Sequence, residues 1–104
     1  MYTPHIIVGG KILVRQYDIF LVWPFEKVDI VIAANILNRN YFSDAQLGQA
    51  LQNLRAALNE NGYLVIVDSR KTEKATIFQR SGRVVAQIHG GTEIEELASR
   101  HLSQ

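Results

Sequence analysis

Residues 28–68, VDIVIAANILNRNYFSDAQLGQALQNLRAALNENGYLVIVD, decide how this chain folds. The stretch opens with the run VDIVIAA (residues 28–34) and closes with YLVIVD (residues 63–68). Both runs are nearly continuous in apolar residues, which is typical of strands that are covered on both faces of a sheet. Between them, leucines at three- and four-residue spacing predict the apolar face of a helix: Leu47, Leu51, Leu54 and Leu58. The stretch therefore predicts a β-α-β unit with two parallel strands.

The sequence also predicts where this helix begins and ends. Ser43 and Gln46 stand at the spacing of a capping box, in which each side chain bonds the backbone of the other residue. Asn61-Gly62 predicts the stop, because glycine adopts the left-handed conformation of a helix C-terminus at little cost. The asparagine-rich residues 35–42 predict a loop between the first strand and the helix. We expect the core to combine the four leucines with four strand residues: Ile30, Ile32, Val65 and Val67.

Three further elements surround this unit. Residues 5–22 are rich in β-branched and aromatic residues, and they predict a hairpin that turns at Gly9-Gly10. Residues 75–79 and 84–88 flank Ser81-Gly82 and predict a second antiparallel hairpin. Thr92 and Glu95 repeat the capping-box spacing and predict a short closing helix, whose apolar face contains Ile94, Leu97, Ala98 and Leu102.

Composition limits the chain to one domain of 104 residues, with a hairpin region at 1–27 and the remainder at 28–104. The formal charge of +1 is too balanced for a chain that binds nucleic acid or anionic membranes through its overall charge. The absence of cysteine excludes disulfides, a thiolate nucleophile and zinc sites with sulfur ligands. His5, His89 and His101 lie in no metal-binding or catalytic motif, so we predict no metal site and no catalytic residue. The sequence shows neither a signal peptide nor an apolar run of about 18 residues, and we expect a cytoplasmic protein.

Four segments in this order resemble a known family: YDIF (residues 17–20), VDIVIAANILNR (28–39), LRAALNENG (54–62) and YLVIVD (63–68). From residue 17 to about residue 99, the chain resembles the C-terminal half of a class I S-adenosylmethionine-dependent methyltransferase domain. The resemblance implies an α/β fold with a truncated Rossmann-like sheet, in which a parallel β-α-β unit is followed by an antiparallel hairpin. The predicted N-terminal β-hairpin and short C-terminal helix complete this fold.

The family binds its cofactor chiefly through a Gly-rich turn after its first strand and an acidic residue after its second. Neither feature is present in this sequence. Gly9-Gly10 belongs to a predicted hairpin with no helix after it, so it offers no helix N-terminus to a ligand. We therefore expect no cofactor for the isolated chain, and S-adenosylmethionine is implied by the resemblance alone. The chain in isolation is not expected to be an enzyme, and any activity it had would be that of a methyltransferase.

Two groups of residues are candidates for a ligand site. The resemblance places Asp18 and Ile19 near the adenine of the cofactor, with Asn35 as a third cofactor-binding candidate. The carboxyl ends of the two parallel strands form the crevice in which open α/β sheets bind ligands. The candidates for that crevice are Asn38, Arg39, Asp68, Ser69 and Arg70. The alternative is that Asp18 is a solvated strand-end residue and that the asparagines bond their own backbone.

These observations favour a methyltransferase-like fragment that acts as a binding or assembly module, or that is a non-catalytic remnant. One alternative is a methyltransferase half that is completed in trans by another chain. Another is a small binder of anionic ligands or nucleic acid that uses a basic hairpin: Arg70, Lys71, Lys74, Arg80 and Arg83. We expect a homo-oligomer, most simply a dimer, because apolar strands need cover on both faces and the chain supplies one long and one short helix. A different partner chain is an open alternative, and neither nucleic acid nor a membrane is the expected partner.

Overall fold

A computed structural model of the chain describes residues 5–8, 11–14, 19–21, 23–24, 26–37, 39–69 and 72–103. Its elements in chain order are β1 (His5–Val8), β2 (Lys11–Val14), β3 (Val28–Ala34), α1 (Asp44–Ala57), β4 (Leu58–Asp68), β5 (Lys74–Gln79), β6 (Val84–Ile88) and α2 (Glu95–Leu102). The chain is thus an α/β protein with a mixed sheet and two helices, as predicted. The predicted turn at Gly9-Gly10 lies outside the described residues.

The described strands form one six-stranded sheet in the order β2-β1-β3-β4-β5-β6. β3 and β4 pair in parallel, with Ile32 opposite Val65, and α1 connects them as the sequence predicts. The other neighbouring pairs are antiparallel, including the predicted hairpin of β5 and β6. β1 pairs antiparallel with β3, with Ile7 opposite Ile30, so the N-terminal hairpin occupies the edge of β3 that faces away from β4.

α1 begins as predicted but ends differently. The Ser43 side chain accepts a hydrogen bond from the Gln46 backbone N–H, and the Gln46 side chain accepts one from the Ser43 N–H, which completes the capping box. The prediction that Asn61-Gly62 stops the helix is wrong. α1 ends at Ala57, Leu58 is already extended at φ −89° and ψ 142°, and β4 begins there rather than at Tyr63.

Gly62 has a different role in β4. A Cβ atom on Gly62 would lie 3.0 Å from the carbonyl oxygen atoms of Asp29 and Asn59. The β3–β4 register shifts between Val28 and Ile30, next to this contact. Glycine is therefore favoured here because two backbone segments approach closely, not because a helix ends there.

The second predicted capping box, Thr92 to Glu95, does not form. α2 begins after Ile94, and no side-chain hydrogen bond caps it. The Thr92 hydroxyl instead lies 3.1 Å from the Thr76 hydroxyl on β5. The Glu95 carboxylate accepts hydrogen bonds from Thr76 and from Gln87 Nε2. Both side chains thus connect α2 to the sheet, because the sheet brings them partners that the local motif does not anticipate.

The core lies between one face of the sheet and both helices. The predicted helix leucines are confirmed, since Leu47, Leu51, Leu54 and Leu58 are fully buried. The strand residues packed against them are Val28, Val31, Ala33, Leu64, Ile66 and Phe78. The predicted strand residues Ile30, Ile32, Val65 and Val67 are only half-buried and lie on the other face. The expectation of two covered faces is therefore wrong for the described residues, because both helices pack on the same side.

None of the helices in the described ranges is long and apolar enough to cross a membrane.

Candidate functional site

Asn35 and Ser69 meet at the carboxyl ends of the two parallel strands. The Asn35 side-chain amide Nδ2 donates to Ser69 Oγ at 2.9 Å, and Asn35 Oδ1 accepts from the Ser69 backbone N–H at 2.8 Å. The Ser69 hydroxyl also lies 3.1 Å from Asn35 Oδ1. The sequence places both residues directly after parallel strands, and the structure brings them together at the predicted crevice.

The backbone explains why Asn35 reaches Ser69. Asn35 has a left-handed φ of 60°, a conformation that asparagine adopts more readily than most residues. Its backbone N–H donates to the Val67 carbonyl oxygen at 2.8 Å, which extends the pairing of the strands by one step. The side chain is thereby directed across the strand ends. Asn35 and Ser69 thus bond each other at the ends of β3 and β4.

Arg39, another crevice candidate, is bound to the start of α1. Its Nε atom donates to Asp44 Oδ1 at 2.9 Å, and both side chains are exposed. This hydrogen bond, with the charge of the guanidinium, lowers the pKa of Asp44 and raises that of Arg39. Asp44 is in the first turn of α1, where a carboxylate is also favoured by the helix dipole.

Of the remaining candidates, the structure describes Ile19 and Asp68. The Ile19 side chain is fully buried in the core, and its carbonyl oxygen accepts a hydrogen bond from Asn53 Nδ2 at 3.0 Å. Asp68 is half-buried at the end of β4, opposite Lys74 of β5. Asp18, Asn38 and Arg70 lie outside the described residues.

Asn53 was not among the candidates from the sequence. It is a buried polar residue, 6% exposed, on the apolar side of α1. Its amide anchors the segment before β3 to the helix through the Ile19 carbonyl oxygen. One feature of the sequence could have identified Asn53: it directly precedes Leu54, at a position that the helical spacing predicts to be buried.

The basic hairpin is partly used inside the fold. Arg80 Nε donates to the Arg55 carbonyl oxygen at 3.1 Å, and Arg55 Nε donates to the Leu102 carbonyl oxygen at 2.8 Å. These bonds join the C-terminal ends of both helices to the β5–β6 turn, and cations are favourable at helix C-termini. Lys74 is half-buried and Arg83 is exposed, while Lys71, like Arg70, is outside the described residues.

Two hollows on the surface lie away from Asn35 and Ser69. An open one of about 470 Å³ lies between β6 and α2, lined by Val84, Glu95, Glu96, Ser99, Arg100 and Ser103. One of about 230 Å³ lies near the start of β4, lined by Glu60, Asn61, Tyr63, Gln79 and Ser81. Within the described part of the chain, no group of three His, Asp or Glu residues is placed to hold a metal ion.

The sheet face turned away from the helices, which we call the open face, has mostly apolar residues in the described strands β3 to β6. Strand register arranges it in rows. One row runs Ile30, Tyr63 and Gln79; the next runs Ile32, Val65, Ile77 and Ala86; the third runs Ala34, Val67, Ala75 and Ile88. Tyr63 is 39% exposed and Ile88 is 46% exposed.

Comparison of the chain with protein-family models, with curated proteins and with solved structures found no match.

Proposed function

We propose that this chain is a non-catalytic module of methyltransferase-like ancestry that works by binding or assembly and does not bind S-adenosylmethionine by itself. Two features support the proposal: the truncated Rossmann-like order of the strands, and the hydrogen bonds between Asn35 and Ser69 at the strand ends, where a ligand would bind.

One observation carries the loss of ligand binding: the reciprocal hydrogen bonds of Asn35 and Ser69. The side-chain groups that would contact a ligand are engaged with each other at the point where the two strands end. A ligand would have to replace these bonds, each of which contributes about 0.5–1.5 kcal/mol net. The free energy of binding at these side chains would therefore be only the difference between the ligand's hydrogen bonds and those that Asn35 and Ser69 make with each other.

The order of elements supports the ancestry. A parallel strand pair joined by a capped amphipathic helix is followed by an antiparallel hairpin, as in the C-terminal half of the family domain. The described residues depart from the family at β3. Its outer neighbour is β1, which runs antiparallel, whereas the family places its first strand there with helices over both faces. The departure falls on the side where the family holds its cofactor.

Calorimetric titration of the purified chain with S-adenosylhomocysteine tests the proposal. We expect no saturable heat at micromolar ligand. Saturable binding in the low micromolar range, about −8 kcal/mol, would contradict the proposal and favour a methyltransferase half that keeps its cofactor site. In that case, loss of binding in Asn35→Gly would locate the ligand at the crevice, since glycine keeps the left-handed backbone and removes the amide.

A further inference from the structure

We propose that the open face is the interface of a two-fold homodimer, in which two copies of this chain pack sheet against sheet. The inference does not depend on the absence of cofactor binding.

The rows have the composition of a buried surface. Ile32, Val65 and Ile77 stand side by side on three neighbouring strands, and each is half-buried within the single chain. A sheet with one face in water ordinarily alternates apolar and polar residues along each strand. Here residues 63–67 are apolar on both faces. Within the described residues, the open face therefore has mostly apolar residues over which no helix packs.

Charge selects the occupant. No Asp, Glu, Lys or Arg is present in the three rows where they cross β3, β4, β5 and β6. A partner that brought a charge to this face would bury it unpaired, which is costly. A second copy brings the same uncharged rows, so the face is its own complement under two-fold symmetry. The formal charge of +1 opposes such association only weakly.

The area is of the right order for a dimer. Rows about 6.7 Å apart that each cross three or four strands, themselves about 4.8 Å apart, give a flat footprint of roughly 350 Å². This is within the range of about 300–600 Å² of the largest apolar patches on monomers, which are often functional. Side-chain relief and the rim would raise the buried area toward the roughly 800 Å² per partner of a standard interface.

The shape also fits a second copy. Two sheets of the same twist pack face to face at about −30°, with their inner side chains interdigitated across about 10 Å. Two copies of one sheet share their twist by construction. The dimer would then have two sheets in its centre and the helices of each copy outside. The strands of each sheet would be covered on one side by helices and on the other by the second sheet.

Sedimentation velocity at micromolar concentration tests the dimer, with two variants that add the same charge at different places. We expect the wild-type chain at twice its mass of 11.8 kDa. Ala34 and Ala56 are both exposed in the single chain, but Ala34 lies on the open face and Ala56 on α1. Ala34→Glu should raise the dimer dissociation constant at least about 100-fold, because the dimer would bury two carboxylates. Ala56→Glu should leave it unchanged.

Ala86→Glu, at the exposed edge of the middle row, is the second test variant, and it decides the matter if Ala34→Glu fails to fold. Circular dichroism establishes that each variant is folded. A wild-type monomer at micromolar concentration overturns the proposal, and flotation of that monomer with phosphatidylcholine vesicles would assign the face to lipid. A dimer that survives both Ala34→Glu and Ala86→Glu also overturns it, because the interface then lies elsewhere.

Discussion

The Ser99 hydroxyl of α2 donates a hydrogen bond to the Gly82 carbonyl oxygen in the β5–β6 turn at 2.7 Å. The two backbones are so close that a Cβ atom on Gly82 would lie 2.5 Å from the Ser99 carbonyl oxygen. The turn therefore supports the C-terminal half of α2, and through it one edge of the core.

Gly82→Ala should lower the free energy of unfolding by roughly 2–4 kcal/mol. Alanine rarely adopts a φ of 93°, and its Cβ atom would clash with α2. Gly90→Ala is the matched control. Gly90 has a similar φ of 84°, but a Cβ there meets nothing within 4 Å. Urea denaturation of both variants separates the backbone cost from the contact with α2, and equal losses would contradict the close approach.

Leu54→Ala should cost roughly 2–5 kcal/mol, because Leu54 is fully buried between α1 and the sheet. Leu21→Ala makes the same chemical change at a side chain that is 62% exposed, and it should cost far less. Thermal unfolding followed by circular dichroism measures both. An unchanged melting temperature for Leu54→Ala would remove α1 from the core.

Asn35→Gly should lower the free energy of unfolding by about 1 kcal/mol, because it removes the bonds to Ser69 and keeps the left-handed backbone. Asn35→Ala should cost about 1 kcal/mol more, since alanine adopts a φ of 60° less readily. Chemical denaturation gives the ranking. If the two variants are equal to the wild type, Asn35 does not stabilise the strand ends.

The Asp44–Arg39 pair should be visible as a pH dependence. The hydrogen bond from Arg39 lowers the pKa of Asp44, so the contribution of the pair to stability is present above the unfolded-state pKa of Asp44. It is lost as the pH falls through the lower pKa of the folded state. The carbon chemical shift of the Asp44 carboxyl group, followed by NMR, should titrate at higher pH in Arg39→Gln than in the wild type. The same midpoint in both proteins would contradict the pairing.

Much of the fold was predictable from local signals. The runs at residues 28–34 and 63–68 predicted the parallel strands, and leucine spacing with Ser43 and Gln46 predicted α1 and its start. These signals succeed because periodicity and capping depend on residues within one or two turns of each other. Of the candidate site, the sequence placed Asn35 and Ser69 at neighbouring strand ends. It did not show that they would bond each other, since that depends on the register of β3 against β4.

For the described residues, the sequence by itself therefore determined the type and order of the helices and strands and the parallel pairing of β3 with β4. Only the tertiary structure decided which motif acts and which face is covered. Ser43 to Gln46 and Thr92 to Glu95 have the same spacing, but only the first caps a helix, because Thr76 and Gln87 compete for the second. Both faces of β3 and β4 are apolar in sequence, yet α1 and α2 pack on one of them. A local sequence pattern indicates whether a side chain can be buried or can form a hydrogen bond. Only the assembled sheet determines which residues are close enough to be its partners.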